Sequence, residues 1–391
     1  MDFINLLGSA WPEGNFWASL IKFFDVGSYA WTIIIFTIIL KLVLSPLDFL
    51  QRFYTNKTTR AQAKLQPELE KLKKRYGQNQ TLLYQKQNEL YQKNNVSMKG
   101  SCIVMLLYMV VTLTVFLTFY SSLQEISGFK IKKQYEQLQS TYYTSYEKEY
   151  YQDYLMSDVE FEQFKSLQTQ EEKNNYVTER ETAKVALFVS NDGLTEDEAK
   201  VKLANDKQLI IESSQIKVAE KYLDIKDDFL WIKNIWRSDK ATVREIAPYD
   251  DFKALTGSTS VSKEEYNLVM NKLLNNYKNS NQVNGYYILS VIVVGISLLS
   301  QWLMKKASQP KAKNGEKIVT QQPGMGKILM FLMPIMMLFF TLNSSSIFAL
   351  YIITNTAVST ALTPIITFIA NKIEDKKEEK HKQAIKVDYR R

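Results

Sequence analysis

The fold is decided by residues 28–50, which read SYAWTIIIFTIILKLVLSPLDFL. A membrane-spanning helix needs about 20 mostly apolar residues, and this stretch supplies them. Four more apolar stretches follow along the chain, at residues 102–123, 286–304, 328–341 and 347–370. The fourth stretch is short, but its flanking residues extend it to a sufficient length. The sequence therefore predicts an all-α integral membrane protein with five transmembrane helices.

Two scarce residue types exclude whole classes of chemistry. The 391-residue chain has one histidine, His381, and one cysteine, Cys102. His381 lies in a charged tail, which rules out a histidine-based metal site and a Ser-His-Asp triad. A single cysteine rules out an internal disulfide and a CxxC zinc or redox site. We therefore expect neither a metal nor a cofactor.

The charge of the segments changes sign between apolar stretches. Residues 52–100 contain 11 basic and 3 acidic residues, residues 305–327 contain 6 and 1, and residues 371–391 contain 8 and 5. The long segment 125–284 contains 22 basic and 28 acidic residues. Because basic segments tend to stay in the cytoplasm, we expect the three basic segments and the C-terminus inside, and the N-terminus outside.

These features predict a division of the chain into ten segments. They are an extracytoplasmic interfacial helix at 1–27, a first span at 28–51, a cytoplasmic helical hairpin at 52–101, a second span at 102–124, an enlarged extracytoplasmic insertion at 125–284, a third span at 285–304, a cytoplasmic loop at 305–325, a fourth span at 326–343, a fifth span at 346–370 and a basic cytoplasmic tail at 371–391. Within the insertion, residues 229–236 (FLWIKNIW) form an aromatic cluster typical of a membrane interface.

Basic residues gather in the predicted hairpin and tail. A solvated surface, a contact with anionic lipid headgroups and a contact with ribosomal RNA each explain such a basic face. The residues predicted to contact lipid or the ribosome are Lys71, Lys73, Lys74, Arg75, Lys376, Lys377, Arg390 and Arg391.

Lys41 is a charge in the middle of the first predicted span. It lies 11 residues from Ala30 and 11 from Arg52, about 16 Å from either end of the span. That distance exceeds what a lysine side chain covers by snorkelling, and a cation at that depth costs about 2.5–3.5 kcal/mol. We therefore predict that Lys41 faces a hydrated cavity. The alternative is a lysine near a helix end, which requires the span to be shifted by several residues.

Polar residues at helical spacing in the other spans predict the walls of this cavity. Each such stripe by itself is more often a helix–helix contact than a substrate path, but together with Lys41 the stripes indicate a hydrophilic groove. Besides Lys41, the residues predicted to line the groove or bind substrate are Thr112, Thr114, Thr118, Ser290, Ser297, Gln301, Tyr351 and Asn355.

Short motifs recur in a fixed order along the chain: LKLVLSPL at 40–47, LQPE at 65–68, KRYG at 74–77, ELY at 89–91, CIVMLL at 102–107, FLWI at 229–232, MPIM at 333–336 and FALY at 348–351 with Asn355. Through these motifs the sequence resembles the YidC/Oxa/Alb family of membrane protein insertases over most of its length. The family usually has arginine where this chain has Lys41. The family's prolines and glutamine in the second span are replaced by Val104, Val110 and Tyr108, and the outer loop is longer.

The resemblance implies a bacterial plasma-membrane protein that inserts nascent membrane proteins without enzymatic chemistry. A groove open to the cytoplasm and to lipid would receive the polar tail of a client, while the client's apolar segment passes the second and fourth spans into lipid. The ribosome and the Sec translocon are candidate partners beside the lipid bilayer, and we expect no DNA partner.

Two other functions remain as alternatives. Lys41 and Ser45 lie one helical turn apart, as an intramembrane Ser-Lys hydrolase would require, but no oxyanion-hole motif accompanies them. The second alternative is an ion-coupled transporter, although the five stretches show neither an inverted repeat nor a broken-helix pair.

Overall fold

A computed structural model describes residues 15–94, 98–307 and 324–388 of the chain. Within them the regular structure is helical, apart from isolated β-bridges between Phe229 and Ile232 and between Arg244 and Val283. The all-α prediction is therefore confirmed for the described residues. The α-helices are α1 (Phe16–Phe23), α2 (Tyr29–Tyr76), α3 (Gln80–Lys93), α4 (Met98–Tyr146), α5 (Asp158–Ser166), α6 (Gln170–Asp192), α7 (Glu196–Ile225), α8 (Tyr249–Thr256), α9 (Lys263–Leu274), α10 (Ile288–Ala307), α11 (Gly324–Asn343) and α12 (Ser346–Asp388).

Three helical segments are long and apolar enough to cross a membrane. They are Tyr29–Arg60, Cys102–Leu155 and Ser346–Lys376. Two shorter apolar segments, Ile288–Leu303 and Pro334–Asn343, accompany them in the part of the chain that the structure describes. These segments indicate a protein that crosses the membrane more than once.

The chain divides into two compact units. The inserted unit is Glu125–Tyr286, and the helical bundle is formed by Glu13–Gln124 together with Tyr287–Arg391. Helix α4 begins in the bundle, and its C-terminal part belongs to the inserted unit.

The bundle is held mainly by α2 and α12, which pack side by side. Asn56 Nδ2 donates to Asn371 Oδ1 at 3.4 Å, and Arg60 pairs with Asp375 at 2.7 Å. Because residue numbers increase together in both helices, α2 and α12 run parallel. Helix α10 packs against α11 and α12.

Helix α4 is largely exposed within the bundle. Only 6% of its most apolar window is buried, as expected of a helix that faces lipid on most sides. Several of its contacts are aromatic: Phe116 and Tyr120 pack against Phe340 and Phe348, and Phe119 lies against Tyr351 with ring centroids 4.5 Å apart.

The inserted unit is built on the C-terminal part of α4, which continues into a π-helical segment, Glu147–Leu155. One close approach fixes the packing of α4 against α8: a Cβ atom at Gly128 would lie 2.3 Å from the carbonyl oxygen of Leu255. Only glycine fits there. Helices α6 and α7 follow as a pair, each opened by a capping box, Thr169 with Glu172 and Thr195 with Glu198.

The aromatic segment 229–236 lies in the core of the inserted unit. Trp236 is 1% exposed and Ile232 and Ile235 are equally buried, whereas Leu230 is exposed. The Trp236 indole N–H donates to Asp227 Oδ2 at 2.6 Å, so its polar atom is satisfied within the protein. The prediction of a membrane-interface cluster is therefore wrong for Trp236, which is a core residue of this unit.

Candidate functional site

Lys41 forms an ion pair with Asp48 inside the bundle. Both residues lie on α2, and a separation of seven residues is two helical turns, so they share one face. Lys41 Nζ and Asp48 Oδ2 are 2.9 Å apart. The two residues are only 7% and 8% exposed, and their face continues the buried positions Ala30, Ile33 and Thr37 of the same helix.

Arg52 adds a second cation one turn beyond Asp48. Its Nη2 donates to Thr363 Oγ1 of α12 at 2.8 Å. The Asp48 carboxylate lies within electrostatic range of Arg52, and the Tyr108 hydroxyl of α4 faces the same carboxylate at hydrogen-bonding range. We call Lys41, Asp48 and Arg52 the charged cluster. Its formal charge is +1, from two cations and one anion.

The charged cluster satisfies the physical conditions for buried charges. An isolated ion in an apolar interior is costly, and a partner with hydrogen bonds lowers that cost. Here the cations lie on both sides of the carboxylate, and Thr363 accepts from Arg52. With a formal charge of +1, the cluster can present positive charge to an anionic or polar segment.

The predicted groove residues are distributed unevenly around the bundle. Ser290 and Ser297 of α10 and Tyr351 of α12 are buried, while Gln301 and Asn355 are half-buried. Thr112 is also half-buried and donates to the carbonyl of Tyr108 at 2.7 Å.

The other two residues of the predicted α4 stripe, Thr114 and Thr118, are exposed. Thr118 Oγ1 accepts from the Trp17 indole N–H of α1 at 2.9 Å. This contact binds α1 to α4. The structure therefore places Thr118 in a contact between two helices.

The basic residues predicted to contact lipid or the ribosome lie at the ends of long helices. Lys71, Lys73, Lys74 and Arg75 are exposed in the last part of α2, and Lys376 is exposed on α12. The side chain of Lys377 and the residues Arg390 and Arg391 lie outside the described part of the structure.

Three members of the site were not identified from the sequence: Asp48, Arg52 and Tyr108. Asp48 carried a usable signal, since an acidic residue seven positions after Lys41 falls on the same helical face. The sequence places Arg52 in the hairpin, because it follows the apolar stretch directly. Tyr108 stands out in the sequence only as a departure from the family pattern.

The geometry does not pair Lys41 with Ser45. The Ser45 hydroxyl donates to the carbonyl of Leu42 at 2.7 Å, and Lys41 is engaged by Asp48. A Ser-Lys hydrolase needs the amine to accept the proton of the serine hydroxyl. Among the described residues, no group of three or more His, Cys, Asp or Glu side chains is arranged to hold a metal ion.

The chain matches the sequence model of one protein family over most of its length. The sequence model of a family described as "60Kd inner membrane protein" matches residues 21–184 and 225–377, which is most of the chain. The chain therefore belongs to this family, the YidC/Oxa family of membrane proteins, and the resemblance found in its sequence is confirmed.

Individual relatives share shorter segments. The membrane protein insertase YidC of Fusobacterium nucleatum is 36% identical over 91 residues, which cover 23% of this chain and 42% of the relative. The insertase YidC of Clostridium perfringens is 35% identical over 118 residues, covering 29% and 46%. That of Leptospira interrogans is 33% identical over 102 residues, covering 26% and 15%. The chain thus matches less than half the length of these relatives. No solved structure matches the chain significantly.

Proposed function

We propose that this protein is an insertase and chaperone for nascent membrane proteins in the bacterial plasma membrane. One observation supports this most strongly: the bundle of apolar helices contains a buried charged cluster with a net positive charge. Ionisable groups within membrane helices are costly and mark paths for polar substrates. The curated relatives that share segments with this chain are named membrane protein insertases.

The proposed topology has five spans. Helices α2, α4 and α12 each supply one, and α10 and α11 supply the third and fourth. The N-terminus lies outside and the C-terminus inside, with the boundaries given in the sequence analysis. The charges of the intervening segments support this orientation, because the basic segments then all lie in the cytoplasm.

In the proposed mechanism, a groove around the charged cluster lowers the barrier for a client's polar tail. In hydrocarbon each unsatisfied polar group costs several kcal/mol. In the groove the tail would meet water, the hydroxyls of Ser290 and Ser297 and the positive charge of Lys41. The client's apolar segment would move along the exposed face of α4 into lipid. No covalent bond changes, so the protein acts as an insertase and not as an enzyme, and it needs no cofactor.

The proposed partners follow from this mechanism. They are nascent membrane proteins and the lipid bilayer, with the ribosome and the Sec translocon as further candidates. The exposed basic residues at the end of α2 suit either anionic headgroups or ribosomal RNA. No observation favours a DNA partner.

The test is insertion of a single-span client into vesicles that contain only this protein. We expect protease-protected client in these vesicles and little in protein-free vesicles or in vesicles with the Lys41→Glu variant. Equal insertion in all three would overturn the proposal. Uptake of a solute driven by an ion gradient, without client insertion, would favour an ion-coupled transporter.

A further inference from the structure

Asp48 is the acidic member of the charged cluster, and it neutralises Lys41 at rest. It is the only acidic residue in the sequence of the span Tyr29–Arg60. Its carboxylate lies 2.9 Å from Lys41 Nζ. An acidic client tail that enters the groove therefore meets a cation that already has a partner.

We propose that Asp48 is a resident competitor for Lys41, and that it sets how strongly the groove prefers acidic client tails over neutral ones. This inference rests on the proposed insertase function. An acidic tail would replace Asp48 as the ion-pair partner of Lys41. Only tails with enough negative charge to compete with Asp48 would therefore be stabilised at Lys41. Asp48 thereby acts on the client through Lys41, as a positioning residue.

The direction of the two side chains supports this role. Side chains on a helix lean toward its N-terminus, so Asp48 leans toward Lys41 while Lys41 must extend away from its usual direction. Seven residues span about 10 Å along the axis, which requires an extended lysine. The ion pair therefore holds the Lys41 ammonium on the C-terminal side of its own Cα, toward Asp48. When the ion pair breaks, the ammonium can return toward the N-terminal half of the span.

The surroundings of Asp48 make the exchange feasible. A buried carboxylate that loses its only partner is strongly destabilised. Asp48, however, also lies within range of Arg52 and of the Tyr108 hydroxyl. When Lys41 turns to a client tail, Asp48 therefore keeps a cation and a hydroxyl donor nearby.

The test compares clients that differ only in the charge of the translocated tail. In vesicles with wild-type protein, the ratio of acidic-tail to neutral-tail insertion gives the reference value. Asp48→Asn preserves shape and removes the competing charge, so we expect the ratio to rise about tenfold, which corresponds to roughly 1.4 kcal/mol. Asp48→Glu restores the anion and should return the ratio to near the wild-type value.

Two results separate this inference from the proposed function. If wild type inserts both clients and Asp48→Asn leaves the ratio unchanged, the competitor role is wrong and the insertase function stands. If wild type inserts neither client, the proposed function itself fails. Should Asp48→Asn not accumulate, Asp48→Ser removes the competing charge with a smaller polar side chain and keeps Lys41. The ratio should again rise, and a wild-type ratio in this variant would equally overturn the inference.

Discussion

Arg52 of α2 donates to Thr363 of α12 at 2.8 Å and joins the first and last long helices of the bundle beside the buried ion pair. It is one of several polar contacts between these two helices: two turns further along α2, Arg60 donates to Asn371 and Asp375 of α12. The same helix face that holds the charged cluster therefore also holds the two helices together. Substitutions at this contact between α2 and α12 are expected to affect both stability and function.

Thr363→Val should destabilise the bundle. The substitution keeps the shape of the side chain but removes the acceptor of Arg52, and Thr363 is buried. A hydrogen bond to a charged group contributes about 1.5–3 kcal/mol, so thermal unfolding in detergent should begin several degrees lower. Thr363→Ser keeps the acceptor and serves as the control. Equal unfolding temperatures for the valine and serine variants would show that the contact adds nothing.

Variants of Lys41 should distinguish the role of its charge in insertion from its role in stabilising the bundle. Lys41→Arg keeps the cation and should support insertion, whereas Lys41→Ala should impair acidic-tail clients most. Lys41→Glu should be worse, because it places a second carboxylate beside Asp48. Lys41→Ala also leaves Asp48 without its partner, so Lys41→Ala/Asp48→Ala is the matched control for folding. Wild-type insertion of an acidic client by this double variant would mean that Lys41 acts only structurally.

The sequence predicts the helices well because apolar length is a local property. It also places Lys41 well inside the first long helix, since residue spacing gives distance along a helix, and in the structure Lys41 is buried. It does not reveal which way a polar face points. Thr114 and Thr118 share a face of α4 with the spacing expected of a groove wall, and both are exposed. Thr118 also accepts a hydrogen bond from Trp17 of α1, a contact that helical spacing alone does not predict.

The sequence also does not show which side chains on different helices contact each other. Arg52 follows an apolar stretch and resembles the first residue of a loop. In the structure α2 continues without a break to Tyr76, so Arg52 stays on a helix and meets Thr363, 311 residues later. The environment of Trp236 is likewise not predictable from the sequence, since an aromatic cluster is found both at membrane interfaces and in buried cores.

Shortening the hairpin should reduce insertion but leave the bundle folded. Replacing residues 68–94 with a short Gly-Ser linker removes the exposed basic end of α2 and all of α3. It keeps Arg52, Asn56 and Arg60, which contact α12. We expect normal accumulation in the membrane and weak insertion of a single-span client. A control that keeps the helices and changes Lys71, Lys73 and Lys74 to glutamine tests the basic charge alone. Wild-type insertion by the shortened protein would contradict the prediction.

Gly128→Ala should destabilise the inserted unit. The added Cβ would lie 2.3 Å from the Leu255 carbonyl oxygen, which is backbone and cannot turn away. Overpacking of this kind costs about 1–3 kcal/mol, and limited proteolysis should cut the inserted unit faster. Gly295→Ala on α10 is the control, because its added Cβ would have no close neighbour outside the local backbone of its own helix. Equal proteolysis of the two variants would show that α4 and α8 separate at little cost.

Glu245→Gln should stabilise the inserted unit at neutral pH. The Glu245 carboxyl is buried, and burial raises its pKa above the usual range, although Lys226 and Lys233 act in the opposite direction. Its Oε1 accepts from the Gln282 backbone N–H at 3.2 Å, a bond that glutamine can keep. Since the folded pKa exceeds the unfolded one, stability is full below the unfolded pKa and is lost as pH rises through the folded pKa.

The measurement for Glu245 is the difference in unfolding temperature between variant and wild type across pH 4 to 8, roughly the range in which a raised carboxyl pKa is felt. The difference should be near zero at the acid end and grow with pH. Glu160→Gln is a control of opposite sign, because hydrogen bonds from Ser157 lower the pKa of Glu160. That variant should be less stable than wild type at neutral pH, with the gap closing as pH falls. A Glu245→Gln difference that stays flat over the whole range would mean that burial does not raise the pKa of this carboxyl.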